Sequence, residues 1–266
     1  MPDVSSTGLA IDAAANALAD AGLRASDIDG FTCGYFPVAD MSSQLGIYPS
    51  WADNTVVGGC SWMFQLRNAM AAINAGFCTT VLIVYGESGK STRGLTNSYD
   101  GGRPGSIGNQ FDAMYGGGQP AATFTLPVLR YQKTYGLSDE DLAVGAVSQR
   151  AWAADVPRAS LRELTTVEEV LNSPMVAWPI RRAMCCLVSD AGGALVVTSA
   201  DRAKDMPQKP VYILGSGGAL EGGLMSPAGV RDPLKPEFIR TSGNAAFSSA
   251  GITHADIDHL MIYDAF

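Results

Sequence analysis

The sequence has 266 residues, which is enough for one large domain or two small ones with a sizeable core. Apolar residues make up 47% and charged residues 17%, so the chain is expected to be globular and not disordered. Acidic residues outnumber basic ones by 26 to 18, for a net charge of −8, and no basic stripe with interleaved aromatic residues is present, which excludes nucleic acid as an expected partner.

The apolar runs and the cysteines bear on location and redox chemistry. The longest apolar run, near 80–85, is far too short to span a bilayer, and no charged segment followed by an apolar one opens the chain. The five cysteines are odd in number, lie in apolar or small-residue contexts and lack C-x-x-C spacing. We therefore expect a cytoplasmic protein with no membrane association. With only His254 and His259 as histidines, no metal site is expected.

Helix and strand patterns alternate along the whole chain, which predicts an α/β protein. In chain order, the predicted helices cover 9–23, 61–75, 121–135, 139–153, 166–171, 200–204 and 238–252. The predicted strands cover 30–35, 55–57, 79–85, 193–198 and 211–214. A segment rich in Gly, Ser and Asn, 86–118, is expected to be a functional loop region because it lies inside this alternation.

Local signals support several of these elements. The strand at 55–57, a Gly-Gly break, the helix at 61–75 and the strand at 79–85 together predict a βαβ unit. The run at 79–85 is typical of a strand buried on both faces. Ser138, with Asp141 three residues later, predicts the cap of the helix at 139–153, and Thr165 precedes the helix at 166–171.

Two distant stretches of the sequence are nearly the same. AGLRASDIDGF occupies 21–31 and AGITHADIDHL occupies 250–260, and five identical residues match in one register. Each stretch follows a small-residue amphipathic helix and leads into a short apolar strand. A single pair this far apart indicates two related α/β halves. The alternative is that both are examples of a common helix-to-strand link.

Cys60 follows a predicted strand and a Gly-Gly break, at the start of a predicted helix. A helix N-terminus favours the reactive thiolate form of a cysteine through its dipole and free N–H groups. Gly58 and Gly59 allow a sharp turn and the close approach of a ligand. A small buried residue at a helix start is the alternative. A nucleophilic cysteine also needs a base and an oxyanion hole, and neither His254 nor His259 is well placed in sequence.

The segment VVGGCSWMFQLRNAMAAINAGFCTTVLIVYGE, 56–87, resembles the nucleophile elbow and following βαβ unit of the thiolase superfamily. The lipid-transfer-protein, or sterol-carrier, branch is the most similar. Further segments resemble the family in the family's own order, namely LPVLRYQKTYGLSDEDLAVGAVSQRAWA at 126–153, TVEEVLNSPMVAWPI at 166–180, CCLVSDAGGALVVTSADRA at 185–203 and MIYDAF at 261–266. Together they cover nearly the whole chain.

The resemblance implies a thiolase-like αβαβα layered fold built from two related halves, with the second half truncated. This fold also accounts for the duplicated stretch. Residues 1–206 would form the N-terminal half, with a loop insertion at about 86–190, and residues 207–266 would begin the C-terminal half. The chain looks incomplete at both ends, since the family's first strand and the later strands of its second half have no counterpart.

The resemblance also implies roles for particular residues. Cys60 matches the cysteine that takes the acyl group in thiolases, and Gly58, Gly59 and Asp264 are carried over as substrate-binding residues. Tyr263 stands where thiolases have an Asn that holds a catalytic water. A tyrosine there resembles the thiolase-like aldolases of steroid side-chain degradation, in which tyrosines act as general acid and base. A strand aromatic with a satisfied hydroxyl is the alternative for Tyr263.

Tyr115, in a Gly-rich loop, is a second candidate for acid–base work. Two reactions therefore stay open, and both act on acyl-CoA carbon–carbon bonds. Retro-aldol cleavage of a β-hydroxyacyl-CoA is favoured by Tyr263, and thiolase-type acyl transfer is favoured by Cys60. The family's catalytic His, in a Gly-His-Pro-like motif, and its second Cys are absent from this sequence. A catalytically inactive subunit or fragment that binds a protein or a lipid is therefore the alternative. A ketosynthase-like condensing enzyme is less favoured.

The expected ligands and partners follow from the same resemblance. Coenzyme A is expected as part of the substrate, lying across 86–118, and no other cofactor is expected. We expect a homodimer that associates through the strand region 79–85. An OB-fold acyl-CoA-binding protein, as in the steroid aldolases, is a further expected partner.

Overall fold

The computed structural model describes residues 4–92, 110, 114, 120–221, 232 and 234–263. The chain divides into two compact units. The first consists of Met1–Thr96, Val188–Gly218 and Thr241–His254, and the second of Asn97–Leu187, Ala219–Arg240 and Ala255–Phe266. The predicted boundary between two thiolase halves stays a prediction.

Helices and strands alternate as the sequence predicted, and the protein is of the mixed α/β class. The helices are α1 Ser6–Ala21, α2 Val38–Gln44, α3 Ser61–Asn74, α4 Pro120–Tyr135, α5 Asp139–Ala154, α6 Val167–Asn172, α7 Ala200–Ala203 and α8 Glu237–Ala250. The strands are β1 Gly30–Cys33, β2 Trp51–Asp53, β3 Thr80–Ser88, β4 Met175–Ala177, β5 Ile180–Arg181 and β6 Asp190–Thr198.

The first unit is built on a four-stranded sheet in the order β2-β1-β3-β6. β1 pairs in parallel with both β2 and β3, and β6 runs antiparallel to β3. Because side chains of a strand alternate between its two faces, Leu82 and Val84 of β3 pack with α1, whereas Val81 and Ile83 pack with α3. β3 is therefore covered on both faces, as its apolar sequence predicted.

Two glycines in register bring α1 close to the sheet. Gly86 of β3 lies opposite Gly192 of β6. A Cβ atom at Gly86 would overlap the backbone of Ser6 and Ala10, and one at Gly192 would overlap the carbonyl of Leu9. α1 therefore lies directly on the backbone of these two strands.

The predicted βαβ unit is present, but its first strand lies earlier than predicted. β2 is Trp51–Asp53, and 55–57 form no strand. The carbonyl of Thr55 accepts a hydrogen bond from Gln65 Nε2, and the N–H of Val57 donates to Ser61 Oγ. Because side chains of α3 satisfy these backbone groups, no strand ladder is needed there.

The two similar stretches fold alike at their centres. α1 ends at Gly22, with φ of 67°, and a 3₁₀ turn follows at Ala25–Asp27. Similarly, Gly251 follows α8 with φ of 68°, and a 3₁₀ turn follows at His254–Asp256. The first stretch then enters β1, whereas 260–263 after the second stretch are exposed and not in a strand. The described part of the segment predicted as the following strand, 260–263, therefore forms no strand, and its remainder, 264–266, lies outside the described residues.

The second unit contains α4, α5, α6 and the β4–β5 hairpin. The predicted capping box of α5 is confirmed, since Ser138 accepts from the N–H of Asp141 and the carboxylate of Asp141 accepts from the N–H of Ser138. α6 is capped in the same way by Thr166, one residue later than predicted. Ala143 of α5 and Val170 of α6 are fully buried.

Two further expectations concern strands, and the first is corrected. Residues 211–214 are exposed and form no strand, and no strand among the described residues pairs with them. The strand region 79–85 belongs to β3, whose backbone is paired on one side with β1 and on the other with β6. β3 therefore offers no open edge for strand pairing with another chain, and the expected self-association through the region 79–85 stays a prediction. In the described part of the chain, the helices are too short or too polar to cross a membrane.

Candidate active site

The turn Gly58–Gly59–Cys60, called the elbow below, leads directly into α3. Cys60 is the N-cap residue of α3 and is exposed, and its Sγ donates to the carbonyl of Val57 over 3.7 Å. Gly58 has φ of 88°, which a residue with a side chain rarely adopts. A Cβ atom at Gly59 would meet nothing within 4 Å, so the surface beside the thiol is open. The predicted Gly-Gly break and helix start are present, and the thiol is exposed, which does not favour the alternative of a small buried residue. The chemical roles of these residues stay predictions.

Polar side chains on the buried side of α3 hold the elbow in place. Ser61 Oγ accepts from the N–H of Val57 over 2.9 Å and donates to the carbonyl of Gly58 over 2.5 Å. Gln65, one turn later and almost fully buried, donates to the carbonyl of Thr55 over 3.0 Å. The sequence reasoning missed both residues. The available signal was a Ser and a Gln at i and i+4 on the stripe that faces the sheet.

The loop before the elbow is attached to the same helix at a third point. Asn68 Nδ2 donates to Asp53 Oδ2 and to Thr55 Oγ1, each over 3.0 Å. The hydroxyl of Thr55 in turn donates to the carboxylate of Asp53. Three successive turns of α3 thus fix the segment that positions Cys60.

Three aromatic rings contact one another beside the sheet. They belong to Tyr35, Trp62 and Tyr85 and are called the aromatic cluster below. Trp62 follows Cys60 by two residues, and its ring centroid is 5.8 Å from that of Tyr85 on β3. The ring of Tyr35, just beyond β1, stands edge-on to Tyr85 with centroids 6.0 Å apart. The hydroxyl of Tyr85 donates to the carboxylate of Glu87. Sequence reasoning missed this cluster as well.

Tyr263, the first candidate for acid–base work, lies in the second unit. Tyr263 is 83% exposed, and its hydroxyl lies 4.0 Å from the Sγ of Cys186 in the same unit. Cys60 belongs to the first unit, so the predicted juxtaposition of Cys60 and Tyr263 stays a prediction. Tyr115 and Asp264 lie outside the described residues.

The five cysteines are free thiols in different surroundings. Burial raises the pKa of Cys33 to about 11. Burial, followed by the negative charge of Asp29, raises the pKa of Cys78. Cys60 and Cys186 are exposed. The thiols best placed to meet a substrate are therefore Cys60 in the first unit and Cys186 in the second.

No group of three or more His, Cys, Asp or Glu side chains within the described ranges is arranged to hold a metal ion. Chemistry at the elbow can use the exposed thiol and the N-terminus of a 14-residue helix. A helix N-terminus stabilises negative charge, including that of a thiolate or of an oxyanion formed from a thioester.

Comparisons with known proteins agree with this geometry. A family model described as thiolase C-terminal domain-like matches residues 227–266. The chain is 28% identical to the 17-hydroxy-3-oxo-4-pregnene-20-carboxyl-CoA lyase of Mycobacterium tuberculosis, over 97% of this chain and 70% of that protein. It is 27% identical to the acetyl-CoA acetyltransferase of Methanothermobacter thermautotrophicus, over 99% of this chain and 70% of that protein.

Among solved structures, an Ltp2-ChsH2(DUF35) aldolase matches with a TM-score of 0.82 and 26% identity, over 96% of this chain and 67% of that one. The chain thus spans about 70% of the curated relatives above. These matches confirm the resemblance to the thiolase superfamily, and the chain has the thiolase-type α/β fold. The relatives are enzymes, which does not favour the alternative of an inactive subunit.

Proposed function

We propose that this chain acts on acyl-CoA thioesters and breaks or forms a carbon–carbon bond next to the thioester. Retro-aldol cleavage of a β-hydroxyacyl-CoA is the first candidate, and thiolase-type acyl transfer is the second. The observation that carries the proposal is the elbow, which presents Cys60 and the N-terminus of α3 together at an open surface. Both reactions need such a place for the thioester carbonyl.

In retro-aldol cleavage, a base removes the proton of the β-hydroxyl, the bond between the α- and β-carbons breaks, and the β-carbon becomes a carbonyl. The electron pair passes into the thioester, whose enolate oxygen is stabilised by the N-terminus of α3. The enolate then takes up one proton at the α-carbon. Tyr263 is proposed as the base because it replaces the family's Asn, and the relatives named as a lyase and an aldolase support this reaction.

Acyl transfer is the second candidate because Cys60 is exposed at the elbow. In that reaction the thiolate attacks the β-carbonyl of a β-ketoacyl-CoA, and the acyl group moves to the sulfur while acetyl-CoA leaves as its enolate. A second CoA thiol then takes the acyl group. The relative named as an acetyltransferase supports this reading.

One pair of incubations separates the two candidates. The protein is mixed with 3-oxobutanoyl-CoA or with 3-hydroxy-3-cyclohexylpropanoyl-CoA, and intact mass and released carbonyl compounds are measured. Acyl transfer predicts a mass increase that is lost in Cys60→Ala. Retro-aldol cleavage predicts release of cyclohexanecarbaldehyde that is lost in Tyr263→Phe and kept in Cys60→Ala. If neither the mass increase nor the aldehyde is observed with either substrate, the proposed function is contradicted.

The assembly is also a proposal. The solved aldolase is named as a pair of Ltp2 and ChsH2(DUF35), which supports a partner subunit for this chain. We propose a homodimer that additionally binds an OB-fold acyl-CoA-binding protein. Light scattering of the purified chain should give twice the 27.8 kDa of one chain. A stable species with the mass of one chain would contradict the homodimer.

A further inference from the structure

The second unit holds two cysteines that are neighbours in the sequence, Cys185 and Cys186, called the cysteine pair below. Cys185 directly follows the 3₁₀ turn Arg182–Met184 and is half-buried, whereas Cys186 is exposed. Residues 186–189, which lead to β6, form neither helix nor strand. The Cα atoms of adjacent residues are only about 3.8 Å apart, so the two sulfurs can meet through a local change at this irregular segment.

The surroundings of the two thiols give them different tasks. The Sγ of Cys185 donates to the carbonyl of Arg181 over 3.4 Å. Burial, followed by the neighbouring Cys186, raises the pKa of Cys185, which keeps that sulfur protonated and poorly reactive toward oxidants. The exposed sulfur of Cys186 is therefore the one that a dissolved oxidant attacks first, with Cys185 beside it as the second thiol of a disulfide.

Cys186 also contacts the proposed base. The hydroxyl of Tyr263 donates to the Sγ of Cys186 over 4.0 Å, and both residues belong to the second unit. Closing a disulfide would turn the sulfur of Cys186 toward Cys185, away from this hydroxyl. The sulfur would also lose the ability to carry a negative charge, which makes a thiolate the stronger acceptor. The oxidation state of the cysteine pair therefore acts on the oxygen of Tyr263.

We propose that the cysteine pair is a reversible, peroxide-sensitive switch, in which a disulfide between Cys185 and Cys186 withdraws a hydrogen-bond partner from Tyr263. The effect on catalysis rests on the proposed function, because it assumes that Tyr263 is the base. The oxidation of the pair does not depend on that assumption.

The oxidation balances in two steps with hydrogen peroxide as the oxidant. The thiolate of Cys186 attacks one peroxide oxygen, the O–O bond breaks, hydroxide leaves and Cys186 becomes a sulfenic acid. The thiolate of Cys185 then attacks the sulfur of Cys186, the S–S bond forms and a second hydroxide leaves. The two protons released by the thiols convert both hydroxide ions to water. Two electrons thus pass from the pair to the peroxide.

The closed form should be easy to reopen. A disulfide between adjacent residues joins Cα atoms that are closer than the usual separation of about 4.4–6.8 Å. Such strain makes a disulfide more reducible, which suits a regulatory bond and not a structural one. A small thiol such as dithiothreitol should therefore restore both cysteines.

Peptide mapping tests the oxidation itself. The protein is treated with hydrogen peroxide, blocked with iodoacetamide and digested without reduction. We expect the peptide that contains the cysteine pair to lose about 2 Da and to take up no iodoacetamide, and to gain two alkylation sites after dithiothreitol. In Cys185→Ser, dimedone should instead trap a sulfenic acid on Cys186. A pair that stays reduced while Cys60 is oxidised would overturn the switch.

Aldehyde release tests the consequence at Tyr263. The rate with 3-hydroxy-3-cyclohexylpropanoyl-CoA is measured before peroxide, after peroxide and after dithiothreitol. It should fall about fivefold on oxidation and return on reduction. Cys186→Ser is the matched control because serine has no sulfur to oxidise, so its rate should be the same with and without peroxide.

The outcomes separate the switch from the proposed function. An unchanged rate in the parent protein when the pair is closed would overturn the switch, and so would an equal loss of rate in Cys186→Ser. A parent protein that releases no aldehyde even when reduced would contradict retro-aldol cleavage. The peptide map would then decide by itself whether the pair closes.

Discussion

The carboxylate of Asp29 binds Thr80, the first residue of β3. Its Oδ1 accepts a hydrogen bond from the N–H of Thr80 over 2.7 Å. The N–H and hydroxyl of Thr79 donate to the same carboxylate. Burial alone would raise the pKa of Asp29. The hydrogen bonds from Thr80 and Thr79 lower this pKa by more than burial raises it, so the net pKa lies below 3.8. One residue of the first duplicated stretch thereby connects the entry of β1 to that of β3.

Replacing Asp29 with Asn should lower the free energy of unfolding. The amide offers one acceptor oxygen and turns a donor toward backbone N–H groups, so a loss of about 1–3 kcal/mol is expected, near the lower end because the site is partly exposed. The depressed pKa sets the pH dependence, since the stabilisation is full above the unfolded value of 3.8 and is lost as the pH falls through the folded value. Urea unfolding of both proteins between about pH 7 and pH 3 should show a difference that shrinks below about pH 4.

Asp258, the counterpart of Asp29 in the second duplicated stretch, provides the control. It is exposed and makes no side-chain hydrogen bond to another described residue. Asp258→Asn should therefore leave the unfolding free energy within about 0.5 kcal/mol of the parent. Equal losses in the two variants would show that the Asp29 hydrogen bonds do not set the stability of the sheet.

Sequence reasoning predicted well the helices and strands whose local residue pattern matches their packing in the fold. α1, α3 and α5 have a clear apolar stripe or cap, and β3 has the β-branched run of a fully covered strand. The strand predicted at 55–57 was wrong because its backbone groups form hydrogen bonds with side chains that the local sequence pattern does not identify. At 55–57, β-branched residues are bound by Ser61 and Gln65 of the next helix instead of by a strand.

The candidate site was predictable in part for a similar reason. The elbow is contiguous in sequence, so two glycines, a cysteine and a helix start identify it. The aromatic cluster is assembled from positions 35, 62 and 85, which meet because β1 and β3 are neighbours in the sheet. The pairing of distant strands is not contained in local periodicity, and Tyr35 was therefore assigned to the end of a strand instead of to this cluster.

Gly192→Ala should be strongly destabilising. The added methyl group would overlap the carbonyl of Leu9 in α1, and because that atom belongs to a helix backbone, the helix would have to move off the sheet. A loss of about 3 kcal/mol is expected from thermal or denaturant unfolding. In the same unit, Gly243→Ala lies within α8, where a methyl group would meet nothing within 4 Å. That control should gain about 0.5–1 kcal/mol. A neutral Gly192→Ala would contradict the close packing of α1.

Alkylation should distinguish the cysteines. At about pH 8, iodoacetamide should modify Cys60 and Cys186 first, because both are exposed. Cys33 should stay unmodified until the protein unfolds, since burial blocks access and raises the pKa of Cys33 to about 11. Peptide mapping after timed quenching measures each site, and Cys60→Ser identifies the signal from the elbow. Modification of Cys33 at the rate of Cys60 would contradict the buried position of β1.

Ser61→Ala tests whether the hydrogen bonds of Ser61 hold the elbow in a reactive shape. The variant leaves the N–H of Val57 and the carbonyl of Gly58 without the hydroxyl that binds both, so a loss of about 1–3 kcal/mol in stability is expected. The alkylation rate of Cys60 should also fall, because a loosened turn no longer holds the thiol at the N-terminus of α3, which favours the reactive thiolate. Ser5→Ala removes the N-cap of α1 at a comparable cost of about 1 kcal/mol without touching the elbow. A loss of stability in both variants with a change in the Cys60 rate in Ser61→Ala alone is the expected outcome. The same rate in both variants would mean that Gly58 and the helix start shape the elbow without help from Ser61.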